Sequence, residues 1–178
     1  LYVQNPNGTC PGLVRPGDDF FYLDPDRYGE PAVEGAVFSQ MANATDFSDP
    51  VTVLYGHNSV NDAMFATLHA YEDPAFFADN PELYVYLPDR ILAYEVVAAY
   101  EYDDRHILNS FDFSDPAVRT GYFASVLAPD DPKANVRDGA QLDADDRIVQ
   151  LSTCRSALTS DPVRYIVTAV LVGEKPAA

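Results

Sequence analysis

One cysteine closes an apolar, β-rich run, Ile148-Val149-Gln150-Leu151-Ser152-Thr153-Cys154, with an arginine ten residues later at Arg164 and a histidine far upstream at His57. A thiol, an imidazole and a guanidinium together suit acyl transfer through a thioester. The sulfur attacks a carbonyl, the imidazole moves the proton and the permanent cation stabilises the oxyanion. A structural cysteine more usually sits within an apolar run. One that follows Ser152 and Thr153 at the end of the run can present its sulfur to solvent.

Other cysteine chemistries fail on spacing. A Cys-x5-Arg phosphatase loop would need arginine where Ser160 stands, and a Cys-x-x-Cys redox pair would need cysteine where Ala157 stands. The scattered histidines have no paired ligand spacing for zinc, and the acidic loops lack the Asp/Asn spacing of a calcium site. No metal and no other cofactor is expected. The second cysteine, Cys10, lies in a loop-like stretch, Asn5 to Gly12, and reads as incidental, because a disulfide to Cys154 would consume the nucleophile.

The elements that must hold these groups are mostly strands. Runs dense in Val, Ile, Leu and Tyr predict strands at Ala32–Phe38, Val51–Tyr55, Leu83–Leu87, Ile91–Tyr102, Arg147–Thr153 and Arg164–Val172. Side-chain alternation puts Gln150, Ser152 and Cys154 on one face, Val53, Tyr55 and His57 on another, and Arg164 and Ile166 on a third. Each of the three reactive residues falls at a strand terminus, and Ser152, on the cysteine face, is placed to contact substrate.

Short helices are predicted over Asn61–Tyr71, after Asp73-Pro74, and over Ala117–Leu127 behind the Ser114-Asp115-Pro116 start signal. Residues 5 to 32, rich in Pro, Gly, Asn and Asp, read as an irregular connection. His69 and His106 have no chemical context and read as solvated. Many strands in one small domain favour a closed or nearly closed β-barrel.

Leu151-Ser152-Thr153-Cys154 resembles the Thr-Leu-x-Thr-Cys signature of the sortases, and Arg164-Tyr165-Ile166-Val167 opens a strand as the sortase arginine does. Tyr55-Gly56-His57-Asn58, followed by Met64-Phe65, resembles the Tyr-Gly-His-Asn and Met-Phe pattern of class B sortases. The resemblance covers roughly residues 19 to 173. It implies a single sortase catalytic domain over 1–178, mainly β, with a helix in the connection before the cysteine strand that class A members lack. It implies a catalytic trio of His57, Cys154 and Arg164, with Leu23, Asn58, Ser152 and Thr153 as substrate contacts.

By the same resemblance the enzyme is a cysteine transpeptidase. It cleaves a threonine-containing sorting-signal peptide of surface proteins and passes the acyl group to an amine of a peptidoglycan precursor or a pilin. The expected place is the outer face of a Gram-positive-type cell membrane, reached through an N-terminal anchor absent from this sequence. A cysteine endopeptidase that resolves the thioester with water, and an inactive barrel that binds wall peptides, stand as alternatives.

Composition sets outer bounds. The 178 residues suit one domain around one core. A net charge of −17, from 28 acidic against 11 basic residues, opposes binding to nucleic-acid phosphates. No apolar run approaches membrane-spanning length, so any membrane contact is expected only through the absent anchor, and a monomer is expected.

Overall fold

A computed structural model of the protein describes residues 2–5, 8–14, 37–58, 65–156 and 162–177, the first two segments by their backbone. Its elements run in chain order as β1 (Tyr2–Asn5), β2 (Gly8–Val14), β3 (Val37–Ser39), β4 (Val51–Tyr55), a 3₁₀ helix (Ala66–Glu72), α1 (Pro74–Asp79), β5 (Glu82–Tyr86), β6 (Arg90–Asp103), α2 (Ile107–Ser110), α3 (Pro116–Leu127), β7 (Asn135–Val136), β8 (Ile148–Cys154) and β9 (Val163–Pro176).

The strands form one sheet in the order β5-β1-β2-β3-β4-β8-β9-β6-β7, and β5 also pairs with β6. Those pairings run in a ring from β5 through β1 and back through β6, so the sheet closes and only the short β7 hangs outside it. Closure leaves few unpaired strand edges. The fold is that of a mainly β barrel with short helices, as the strand pattern predicts.

Both faces of the central strands are buried. Leu54, Val149, Leu151, Tyr165, Val167 and Ala169 share one core cluster with Phe65, Leu68 and Tyr71 from the 3₁₀ helix and its approach. Val51, Val53, Ile148, Ile166 and Val170 belong to a second cluster, covered by Ile107, Tyr122, Phe123 and Val126 of α2 and α3. This explains why β8 reads as a nearly continuous apolar run: a strand covered on two sides need not alternate with polar residues. Along β6 the inward phase changes. Leu92, Tyr94 and Val96 join the first cluster, Ala98 and Tyr100 the second, and the pairing with β9 shifts register between Val96 and Ala98. A bulge there admits one extra residue and swaps the faces.

Helix starts follow their local signals. Asp115 accepts from Ala117 N–H at 2.8 Å with Pro116 in the first turn of α3, and Asp73 accepts from Ala75 and Phe76 N–H at 2.7 and 3.1 Å ahead of α1. The helix expected over Asn61–Tyr71 is a 3₁₀ helix from Ala66, with 61–64 outside the described residues. The irregular connection expected over 5–32 needs correction. Its first part is β2, paired antiparallel with β1 and parallel with β3, so Cys10 sits on a strand backbone opposite Val3. Ladder bonds on both sides outweigh the weak strand propensity of its Gly and Pro residues.

A buried polar network fixes α3 over the cysteine strand. Tyr122 Oη donates to Gln150 Oε1 at 2.7 Å, and Gln150 Nε2 reaches Thr168 Oγ1 at 3.1 Å and Tyr100 Oη at 3.3 Å. Burial pushes the Tyr122 phenol well above its usual range, so it stays a neutral donor. Tyr122→Phe strands a buried amide oxygen and is expected to cost about 1–3 kcal/mol. Urea denaturation is the check, and an unchanged midpoint would mean that the network adds no stability.

Candidate active site

The register of three neighbouring strands builds the site. Parallel pairing of β4 with β8 sets Tyr55 against Ser152, and antiparallel pairing of β8 with β9 sets Ser152 against Ile166 and Cys154 against Arg164. Directly paired residues project from the same face of a sheet. Tyr102 of β6 pairs with Arg164 in turn, extending the row. At its centre Arg164 Nη1 lies 3.0 Å from Cys154 Sγ, both side chains half-buried. A permanent cation at that distance is electrostatically matched to a thiolate and, through its remaining N–H groups, to an oxyanion.

His57 lies two residues past Tyr55, where β4 leaves the sheet, and its backbone is fixed from both sides. Gly56 N–H donates to Ser152 O at 3.1 Å, carrying the β4–β8 ladder past the end of β4, and Phe65 N–H donates to His57 O at 3.1 Å. Further back, Asn43 stands in for a missing strand neighbour of β4. Its Nδ2 donates to Val51 O at 2.8 Å and its Oδ1 accepts from Val53 N–H at 2.9 Å. The structure thus gathers the ends of β4, β8 and β9, bearing His57, Cys154 and Arg164, into one neighbourhood.

The expected substrate contacts lie in different places. Ser152 is buried but lines a groove of about 210 Å³ together with Tyr55, Phe38, Ile107, Ile166 and Arg164. Thr153, one residue on, belongs to the opposite face by alternation; it is 1% exposed and its hydroxyl has no hydrogen-bond partner among the described residues. Asn58 turns its amide nitrogen to the Cys154 carbonyl at 3.0 Å. Leu23 lies outside the described residues.

Two histidines expected in solvent are engaged instead. His106 caps α2, accepting from Asn109 N–H at 3.3 Å, and its Nε2 meets the Gln40 side-chain amide beside the groove. His69 stacks on Tyr165 at 4.9 Å and places Nε2 3.1 Å from Cys154 O. The local partners Asn109 and Glu72 lie three residues on, but the contacts to Gln40, Tyr165 and Cys154 come from distant elements and leave no local mark in the sequence. At the groove mouth Arg105 bonds Asp103 through Nε at 2.7 and 2.9 Å, which holds that carboxyl below its ordinary range, and lies 5.3 Å over the Tyr102 ring.

A closed β-barrel with cysteine and arginine paired at the ends of adjacent strands, and histidine at the end of the next, matches a known family. The sortase domain model matches residues 28–172. The chain belongs to the sortase family, whose members are cysteine transpeptidases. It is 27% identical over 166 residues to sortase B of Listeria monocytogenes, which covers 90% of this chain and 63% of that protein, so the chain spans under two thirds of that relative's length.

Sortase B of Clostridium perfringens superposes with a TM-score of 0.82 at 25% identity, over 97% of this chain and 92% of that one. A Staphylococcus aureus sortase B–substrate complex gives 0.82 at 21% identity, over 96% and 78%, and shows the shared fold. These relatives are class B sortases, in agreement with the class read from the Tyr-Gly-His-Asn motif.

Gly56 gives the site a steric test. A Cβ there would lie 2.7 Å from Cγ and Cδ2 of Phe65, a ring with no exposed surface into which to swing. Gly56→Ala is expected to cost about 1–3 kcal/mol by overpacking and to displace His57, so thiol-dependent peptide cleavage should fall further than stability alone explains. Full activity in a folded Gly56→Ala protein would show that the His57 turn tolerates the shift.

Proposed function

We propose that this domain is a class B sortase that cleaves a threonine-containing sorting signal and transfers the acyl group to an amine. The observation that carries the reading is the Arg164–Cys154 contact of 3.0 Å at paired strand ends, with His57 at the end of the adjoining strand. The S. aureus relative was solved with substrate, which supports a peptide substrate for this chain as well.

In the proposed reaction the Cys154 thiol gives its proton to His57 and the sulfur attacks the threonine carbonyl, forming a C–S bond and an oxyanion that the Arg164 guanidinium stabilises. His57 gives a proton to the departing amine as the C–N bond breaks, leaving a thioester. An incoming amine attacks that thioester, His57 takes its proton, and the C–S bond breaks to release the new amide. Phe38, stacked on Tyr55 at 5.7 Å, and Ile107 and Ile166 give the groove apolar walls against which peptide side chains can pack. The acceptor is a wall-precursor or pilin amine, and the site of action is the outer face of the cell membrane.

Cys154→Ala and His57→Ala are expected to abolish turnover of a fluorogenic sorting peptide while circular dichroism stays unchanged. Arg164→Lys keeps the charge but loses the planar fork, so kcat/KM should fall by about 10²–10³, with thioester formation impaired in mass spectra. Near-normal acylation by Arg164→Lys would move the oxyanion role to backbone donors. Adding an amine to the assay separates transfer from hydrolysis: a ligated product is expected, and its absence would favour the endopeptidase reading.

A further inference from the structure

Behind the cysteine lies a second set of polar groups that the reaction above does not use. Asn58 Nδ2 is 3.0 Å from Cys154 O and 3.0 Å from His69 Nε2, while His69 Nδ1 bonds Glu72 Oε1 at 2.5 Å. The chemistry of these groups fixes how the hydrogens are shared. Glu72 is an acceptor, so Nδ1 carries a proton. Nε2 lies 3.0 Å from the Asn58 amide nitrogen and 3.1 Å from the Cys154 carbonyl, so it accepts from Asn58 in the neutral ring and donates to that carbonyl in the protonated one.

The ring is held in place by its stack on Tyr165, which neighbours Arg164 on β9. Burial pushes the Tyr165 phenol up, so that face presents a neutral ring. His69 itself is only 21% exposed, whereas Glu72 is 58% exposed. An exposed contact of that kind contributes little stability, but it keeps a proton on Nδ1.

We propose that His69 is a positioning residue. Oriented by Glu72 and Tyr165, it holds the Asn58 amide on the Cys154 carbonyl and so sets the distance between the turn that bears His57 and the end of the cysteine strand. The proposal rests on the His57–Cys154 reading of the site. Asn58 directly follows His57, so the clamp ties the proposed base to the proposed nucleophile through one side chain rather than through the β4–β8 ladder, which ends at Gly56. Small displacements between reacting groups cost large factors in rate.

His69→Phe keeps a ring over Tyr165 and removes the acceptor, whereas His69→Gln restores an acceptor near the position of Nε2 without the ring. The expected result is a kcat for His69→Phe lower by roughly tenfold with KM for the peptide little changed, and recovery of most of that loss in His69→Gln. Alkylation of Cys154 by iodoacetamide, which needs no substrate, should slow in His69→Phe and recover in His69→Gln. Loss of turnover alone in every protein, wild type included, would count against the transpeptidase reading and leave the alkylation comparison to judge the clamp. Equal alkylation rates in wild type and His69→Phe, or a His69→Gln no better than His69→Phe in a protein of unchanged thermal midpoint, would overturn it.

Discussion

The register between β4, β8 and β9 is the constraint on which everything else here depends. Cys154 and Arg164 meet because they occupy the same rung of an antiparallel ladder, and His57 lies nearby because the parallel rung Tyr55–Ser152 comes two residues earlier. A slip of one residue would turn Cys154 to the face of Thr153, which is sealed in the barrel core. The slip is opposed by every residue along these strands at once, since Val149 and Leu151 would exchange places with Gln150 and Ser152. The ends of the strands are thus aligned by burial spread along their whole length.

Having two covered faces makes that register unusually demanding. A barrel wall with solvent outside could tolerate polar substitutions on its outer face, but here α2 and α3 bury that face under Tyr122, Phe123 and Val126. Gln150 is then a polar group with no access to water, and its amide is matched by Tyr122, Thr168 and Tyr100. Such a network is costly when broken and specific when complete. It ties α3 to the strand that ends in Cys154, so the packing of that helix and the position of the sulfur are set by the same contacts.

The His57 turn is held differently. Past Gly56 the β4–β8 ladder does not continue among the described residues, and the turn is braced by Phe65 N–H on the His57 carbonyl, the Phe65 ring against Gly56, and the Asn58 amide on the Cys154 carbonyl. The acid–base role proposed for His57 would benefit from a defined position more than from deep burial, which would oppose the charged form. Rigid strands for the sulfur and the guanidinium, and a braced turn for the imidazole, divide the work accordingly.

Much of this was legible in the chain itself. Strand-end positions for His57, Cys154 and Arg164, the capped start of α3 at Asp115-Pro116, and the family pattern are local signals, written in spacing and side-chain type. Alternation was legible within each strand but not between strands, because shared faces need a register. The phase change at Val96–Ala98 of β6 was not, since a bulge leaves no mark in composition. β2 was hidden as well, its Gly and Pro residues overruled by partners on both sides. His69 was misread for the same reason: Cys154 and Tyr165 lie far along the sequence, and only the closed barrel brings them to its ring. The sequence by itself determined which groups could react and which segments would be strands, because those follow from residue chemistry and short-range periodicity. Only the tertiary structure decided which faces coincide and which polar groups brace the cysteine, because those depend on long-range pairing that no local pattern encodes.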